Sequence, residues 1–131
     1  MKKPNPTTGM RHVALFVQDM QACEHFYVEL LDMKVEWRPD PENVYLSSGN
    51  DNLALHQAPE GHEIAGGRLD HIGFILNTAA DVDVWYAWLL EHNVVIKTEP
   101  RTHRDSARSF YCCDPGGTVV QMIYHPPLSQ S

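Results

Sequence analysis

The chain repeats itself. When Arg11-His12-Val13 is laid over Asp70-His71-Ile72, two apolar stripes coincide without a gap: Cys23, Phe26, Tyr27, Leu30 and Leu31 fall on Val82, Trp85, Tyr86, Leu89 and Leu90. Both stripes recur at i, i+3, i+4, i+7 and i+8, the spacing of one helix face. After a longer stretch in the second half, LALHQAP (53–59) lies over VQMIYHP (120–126), proline on proline. Each half reads in the same order. MRHVALFV (10–17) predicts a strand, Asp19 a helix cap, and VEWR (35–38), NVYLSS (43–48) and NLALHQ (52–57) three further strands, with Asn50-Asp51 as a turn. LDHIGFIL (69–76), a Thr78 cap, VVIKTE (94–99), RSFYCC (108–113) and TVVQMIY (118–124) repeat the pattern, with a loop at 101–107 and a hairpin turn at DPGG. The expectation is one α+β domain of two tandem βαβββ modules, at 10–59 and 69–126. Residues 1–9 and 127–131 are expected to be tails, and 60–68 a linker.

Composition narrows the partners. Hydrophobic residues make up 43% and charged residues 21%, enough for an ordinary globular core. The formal net charge is -7 with no basic run, which argues against nucleic acid. No segment approaches the roughly 20 apolar residues of a membrane span. The start, MKKPNPTTGM, has two lysines without an apolar run, so no signal peptide is expected. Cys23, Cys112 and Cys113 form neither a CxxC nor a zinc spacing, and so few cysteines suit a reducing compartment; a cytoplasmic protein is expected.

Strand alternation then selects faces. The repeat makes His12 equivalent to His71 and Ala54 equivalent to Gln121. Three of these four positions carry side chains able to coordinate a metal, and the fourth is blank. Two imidazoles and one amide oxygen leave coordination positions open to water or substrate, as a catalytic metal requires. Other groups are placed to assist. His56 follows Ala54 on the same strand face and has the intrinsic pKa of a proton carrier. Tyr111 is a candidate hydrogen-bond donor to a substrate oxyanion, Arg108 a candidate partner for a substrate carboxylate or phosphate, and Tyr45 a further lining residue. Trp37 adds aromatic surface, and the loop at 101–107, with Arg101, His103 and Arg104, is a candidate lid.

RHVALFVQD (11–19), FYVELLDMKV (26–35), DHIGFIL (70–76) and RSFYCCDPGGTVVQMI (108–123) resemble the vicinal oxygen chelate superfamily of glyoxalase, bleomycin-resistance and ring-cleaving dioxygenase proteins. The resemblance implies two βαβββ modules forming a cupped, partly open mixed-sheet barrel with helices outside. It implies metal ligands on the first and last strands of each module, which carries over to His12, His71 and Gln121, with Ala54 unable to bind. The implied cofactor is one divalent ion (Fe, Mn, Ni, Zn or Co). The implied function is a metal-dependent dioxygenase, lyase or thiol transferase acting on a small substrate with vicinal oxygens, in a homodimer. The family pattern usually has Glu where this chain has Gln121, which weakens metal binding and removes the base that glyoxalase I chemistry needs. The alternative is a metal-free drug-binding or small-molecule-binding protein of the bleomycin-resistance type.

Overall fold

The computed structural model describes residues 2–63 and 69–129. Residues 64–68 of the expected linker, and residues 1, 130 and 131 of the tails, lie outside them. The first module runs β1 (His12–Val17), α1 (Met20–Glu24), a π-helical segment (His25–Leu30), β2 (Lys34–Asp40), β3 (Asn43–Ser47) and β4 (Asn52–Gln57). The second runs β5 (Ile72–Leu76), α2 (Ala79–Glu91), β6 (Val95–Thr102), β7 (Arg108–Cys113) and β8 (Val119–Tyr124). Each module makes one mixed four-stranded sheet, ordered β1-β4-β3-β2 and β5-β8-β7-β6. The first and last strands of each module pair in parallel, and the remaining pairs are antiparallel.

The caps act as the sequence predicts. Asp19 Oδ1 accepts from Ala22 N at 3.0 Å, and Thr78 Oγ1 accepts from Asp81 N at 3.1 Å, each satisfying an orphan amide of a first turn. The first helix differs from expectation. It widens after Glu24, and Leu31 N reaches back five residues to Phe26 O at 3.0 Å. The chain leaves this segment through Asp32 at φ 63, and leaves α2 through Asn93 at φ 60. Val94 N→Leu89 O and Asn93 N→Leu90 O complete a Schellman ending at α2. His92 Nδ1 lies 2.9 Å from Trp88 O and ties down a carbonyl of the last turn.

Strand alternation separates two faces. Leu15, Val17, Val44, Leu46, Leu53 and Leu55 of the first sheet, and Phe110, Cys112, Val120 and Met122 of the second, are buried with the helices in one core. Cys23, Phe26, Tyr27, Leu30 and Leu31 are all buried, as their stripe requires. On α2 the stripe holds for Val82 and Leu89, whereas Leu90 is largely exposed. Tyr27 joins the modules: its ring meets Phe74 at 6.3 Å, and its hydroxyl donates to Asp114 Oδ2 at 2.7 Å. Trp88 Nε1 adds a bond to Leu30 O at 3.0 Å. The opposite face of each sheet is open. The outer strands β2 and β6 each carry a proline (Pro39, Pro100) beside a register shift, where a missing ladder donor does least harm. β6 runs through Thr102, so the connection expected from 101 begins at His103 and is a hydrogen-bonded turn (His103 N→Ala107 O, 2.7 Å).

Burial pushes the Cys112 thiol up to about 12, and burial with the nearby Asp114 pushes Cys23 up to about 11. The Tyr27 phenol is also driven well above 10, first by burial and then by Asp114. All three groups ionise more readily once unfolded. Their contribution to stability is therefore complete below the ordinary thiol value and is lost as pH rises from about 9 toward 11. Urea midpoints should be flat between about pH 7 and 8 and then fall, each suppressed ionisation costing about 1.4 kcal/mol per pH unit. A midpoint that stays constant to about pH 11 would contradict this burial. A thiol reagent should label half-exposed Cys113 in the native protein, and Cys23 and Cys112 only after unfolding.

Candidate functional site

The open faces carry the polar groups singled out above. Register aligns them in rows: Ala14, Ala54, Tyr45 and Trp37 across the first sheet, and Gly73, Gln121, Tyr111 and Thr98 across the second. The equivalence of Ala54 with Gln121 is therefore a fact of strand pairing as well as of sequence, and strand pairing adds that of Tyr45 with Tyr111.

His12 begins β1. Its Nδ1 lies 2.7 Å from Asn52 Oδ1. Asn52 Nδ2 donates to Glu36 Oε1 at 3.0 Å, which fixes the amide with its oxygen toward the imidazole. His12 therefore carries its proton on Nδ1, and in the neutral ring Nε2 keeps a free lone pair. His71 immediately precedes β5 and reaches the same state more simply. Its Nδ1 is 2.7 Å from the carboxylate of Asp70, and its ring packs edge-on against Tyr111 at 5.2 Å between centroids. Gln121, on the strand beside β5, donates from Nε2 to Ser109 Oγ at 3.1 Å. Its Oε1 turns toward β5, where a Cβ added at Gly73 would lie 3.8 Å away.

Among the described residues each of the three thus leaves one donor atom of the kind metals take without a hydrogen-bond partner: two imidazole Nε2 atoms and one amide oxygen. His71 and Gln121 share the second sheet, and His12 stands on the first. Among the described residues no hydrogen bond joins His12 to either of them, and no group of three or more His, Cys, Asp or Glu side chains is placed to hold an ion.

His56 is half-buried and sits in a second relay of the same kind. Its Nδ1 is 2.6 Å from Asn43 Oδ1, and Asn43 Nδ2 donates to the Asp40 carboxylate at 2.9 and 3.1 Å. Aromatic rings surround it. Tyr45 meets His56 edge-on at 6.0 Å and stacks on Trp37 at 5.3 Å; Phe16 lies at 6.4 Å. Trp37 and Phe16 remain 60% and 49% exposed, so this aromatic strip faces outward. Tyr45 and Tyr111 thus both sit on open faces, as a lining role needs.

Arg108 is not there. It shares parity with Phe110 and Cys112, so it points toward the helices. Its guanidinium makes a two-pronged pair with Asp83 of α2 (Nε–Oδ2 3.0 Å, Nη2–Oδ1 2.7 Å) and a third bond to Thr102. The guanidinium holds the Asp83 carboxyl below the usual range. The expectation that Arg108 binds a substrate anion is corrected: its charge is already spoken for on the other face.

The residues that sequence reading missed are the partners. Glu36, Asn52, Asp40, Asn43 and Ser109 fix imidazoles or an amide, and none stands out by type or spacing. Their one sequence signal is parity: Asn43, Asn52 and Ser109 alternate onto the same faces as Tyr45, Ala54 and Gln121.

Two mixed sheets of the same order, each bearing a ligand-type side chain on its first strand or directly before it, define a paired βαβββ protein. The chain belongs to the Glyoxalase/Bleomycin resistance protein/Dioxygenase superfamily, whose model matches residues 9–122. Among solved structures it is similar to a lactoylglutathione lyase from Agrobacterium tumefaciens, with a TM-score of 0.77 and 19% identity over 95% of this chain and 98% of that one. It is also similar to a glyoxalase/dioxygenase from Nostoc punctiforme (TM-score 0.77, 23% identity, 96% and 97% covered). A glyoxalase/bleomycin resistance protein/dioxygenase from Alicyclobacillus acidocaldarius aligns with a TM-score of 0.69 and 18% identity over 91% and 92%. Such identities carry the fold alone. No curated protein matches the chain significantly. Among the described residues no helix is long and apolar enough to cross a membrane.

Proposed function

We propose that this is a divalent-metal-dependent enzyme acting on a small substrate with two neighbouring oxygens, with His12, His71 and Gln121 as the protein ligands. One observation carries the reading. Each of the three side chains is held by a partner at its other polar atom, so that Nε2, Nε2 and Oε1 are left pre-oriented. When bound, the ion supplies Lewis acidity toward the paired substrate oxygens. The chain's own groups do the rest. Tyr111, against His71, donates a hydrogen bond to a substrate oxygen. His56 moves protons through Nε2 while Asp40 and Asn43 hold its Nδ1–H. Neither Ala54 nor Gln121 is a base, so proton transfer between adjacent carbons in the manner of glyoxalase I is disfavoured.

Pairing of two copies is part of the same reading. It covers the exposed Phe16, Trp37 and Ile75 and brings one copy's His12 to the other's His71 and Gln121.

The test is metal titration of protein purified without chelator, using Fe, Mn, Ni, Zn and Co in turn. The expected result is one ion per chain. His12→Ala and His71→Ala should each lower affinity by more than the about 10–100-fold that loss of a supporting partner costs. Mixing the two variants should restore binding that neither has alone. Absence of any stoichiometric ion would overturn the metal reading. It would favour the second reading, a metal-free binder of small aromatic molecules, for which the outward-facing strip of Trp37, Tyr45 and Phe16 is the supporting observation.

A further inference from the structure

An amide can present either end. Its oxygen accepts hydrogen bonds and can ligate a cation; its nitrogen donates and repels one. Which end Gln121 shows to the open face depends on a chain of two bonds, the first buried and the second half-buried. Gln121 Nε2 lies 3.1 Å from Ser109 Oγ, and Ser109 Oγ lies 3.0 Å from His103 Nε2. Ser109 is 2% exposed and Gln121 9%, so water competes little for these atoms.

The serine hydroxyl has one proton to give. If it donates to His103 Nε2, its lone pairs accept from the Gln121 amide, and Oε1 turns toward Gly73 and the open face. Among the described residues Ser109 Oγ has no third partner to take its proton. If His103 instead donates from Nε2, the serine proton therefore points at Gln121, which must then offer Oε1 to Ser109 and turn its NH2 outward. With these two partners alone the two directions exclude each other. His103 is held for this role by its turn: His103 N→Ala107 O at 2.7 Å and Ser106 N→His103 O at 3.0 Å, with Ser106 at φ 72.

We propose that His103 and Ser109 are positioning residues that set the direction of the Gln121 amide, with its oxygen held toward the open face. The consequence for metal binding rests on the reading of Gln121 as a ligand; the direction of the chain does not.

Two measurements test it. The first needs no metal. Long-range proton–nitrogen NMR of the imidazoles, above pH about 8 where an ordinary ring is neutral, should show His103 protonated on Nδ1 with Nε2 as acceptor. A His103→Gln variant identifies its signals. Ser109→Ala should release the ring toward the Nε2–H form. Finding Nε2–H on His103 in the parent protein would overturn the proposal. The second is metal affinity. Ser109→Ala should weaken binding by about 10–100-fold in the parent, and leave a Gln121→Glu background unchanged, because the two oxygens of a carboxylate are equivalent. Equal losses in both backgrounds would make Ser109 merely structural and overturn its positioning role. If neither background takes up metal, the ligand reading of Gln121 fails, while the His103 tautomer still decides the direction of the chain.

Discussion

Asp114→Ala is expected to lower the free energy of unfolding by about 3–5 kcal/mol, among the largest losses from any single substitution in this chain. Asp114 is 4% exposed and both of its carboxylate oxygens are engaged. Oδ1 accepts from Gly116 N and Thr118 N, both at 2.9 Å, and Oδ2 accepts from the Tyr27 hydroxyl at 2.7 Å. Alanine leaves a buried phenol without a partner, at a cost of about 1–3 kcal/mol, and removes the charged acceptor from two part-buried turn amides. The bond to Tyr27 is also the polar clamp between modules, so its loss loosens the packing of the first module's helix on the β7–β8 turn. Asp114→Asn keeps one good acceptor and should cost less. Tyr27→Phe should cost about 1–3 kcal/mol, and a double-mutant cycle between the two positions should show coupling. Urea unfolding followed by far-ultraviolet circular dichroism reads all three. An Asp114→Ala protein within about 1 kcal/mol of the parent would mean that the clamp contributes nothing.

Gln121→Glu should tighten divalent metal binding at least tenfold, since a unit negative charge replaces a neutral oxygen beside a doubly charged ion (about 1–4 kcal/mol per unit charge pair at 4 Å between water-like and protein-surface screening). The same change should destabilise the metal-free protein, because a carboxylate is then buried against Ser109 without a counter-charge. Melting temperatures should therefore cross: the variant below the parent without metal and above it with saturating metal. Calorimetric titration and thermal melts with and without chelator check both halves. An unchanged affinity would mean that Gln121 does not reach the ion.

The sequence exposed the duplication because a helix face and a strand face each impose a period, and both periods recur in order. The same periods put His12 and Gln121 at equivalent, face-sharing strand positions; only the structure showed that Cys112 lies in the core. They also held the information that Arg108 faces the helices, since Phe110 and Cys112 share its parity. An arginine beside a proposed site drew attention to its charge instead, and Asp83, the partner that claims that charge, lies 25 residues earlier on α2. The widening of the first helix into a π segment left no trace in a stripe that reads equally well either way.

What the amino-acid order determined by itself is periodic: which residues share a face, where helices start, and that two halves fold alike. Those properties depend on neighbours a few positions away, through fixed rises and rotations per residue. What the tertiary structure decided is directional. Whether His12 offers Nε2 depends on Asn52 and Glu36, which lie on β4 and on the bulged edge strand β2 and which the sheet order β1-β4-β3-β2 brings to the same end of the sheet as His12. Whether Gln121 offers oxygen depends on Ser109 and His103 across a hairpin. A hydrogen bond has a donor end and an acceptor end, and which end a side chain must present is set by partners that strand register, not sequence spacing, brings within 3 Å or so.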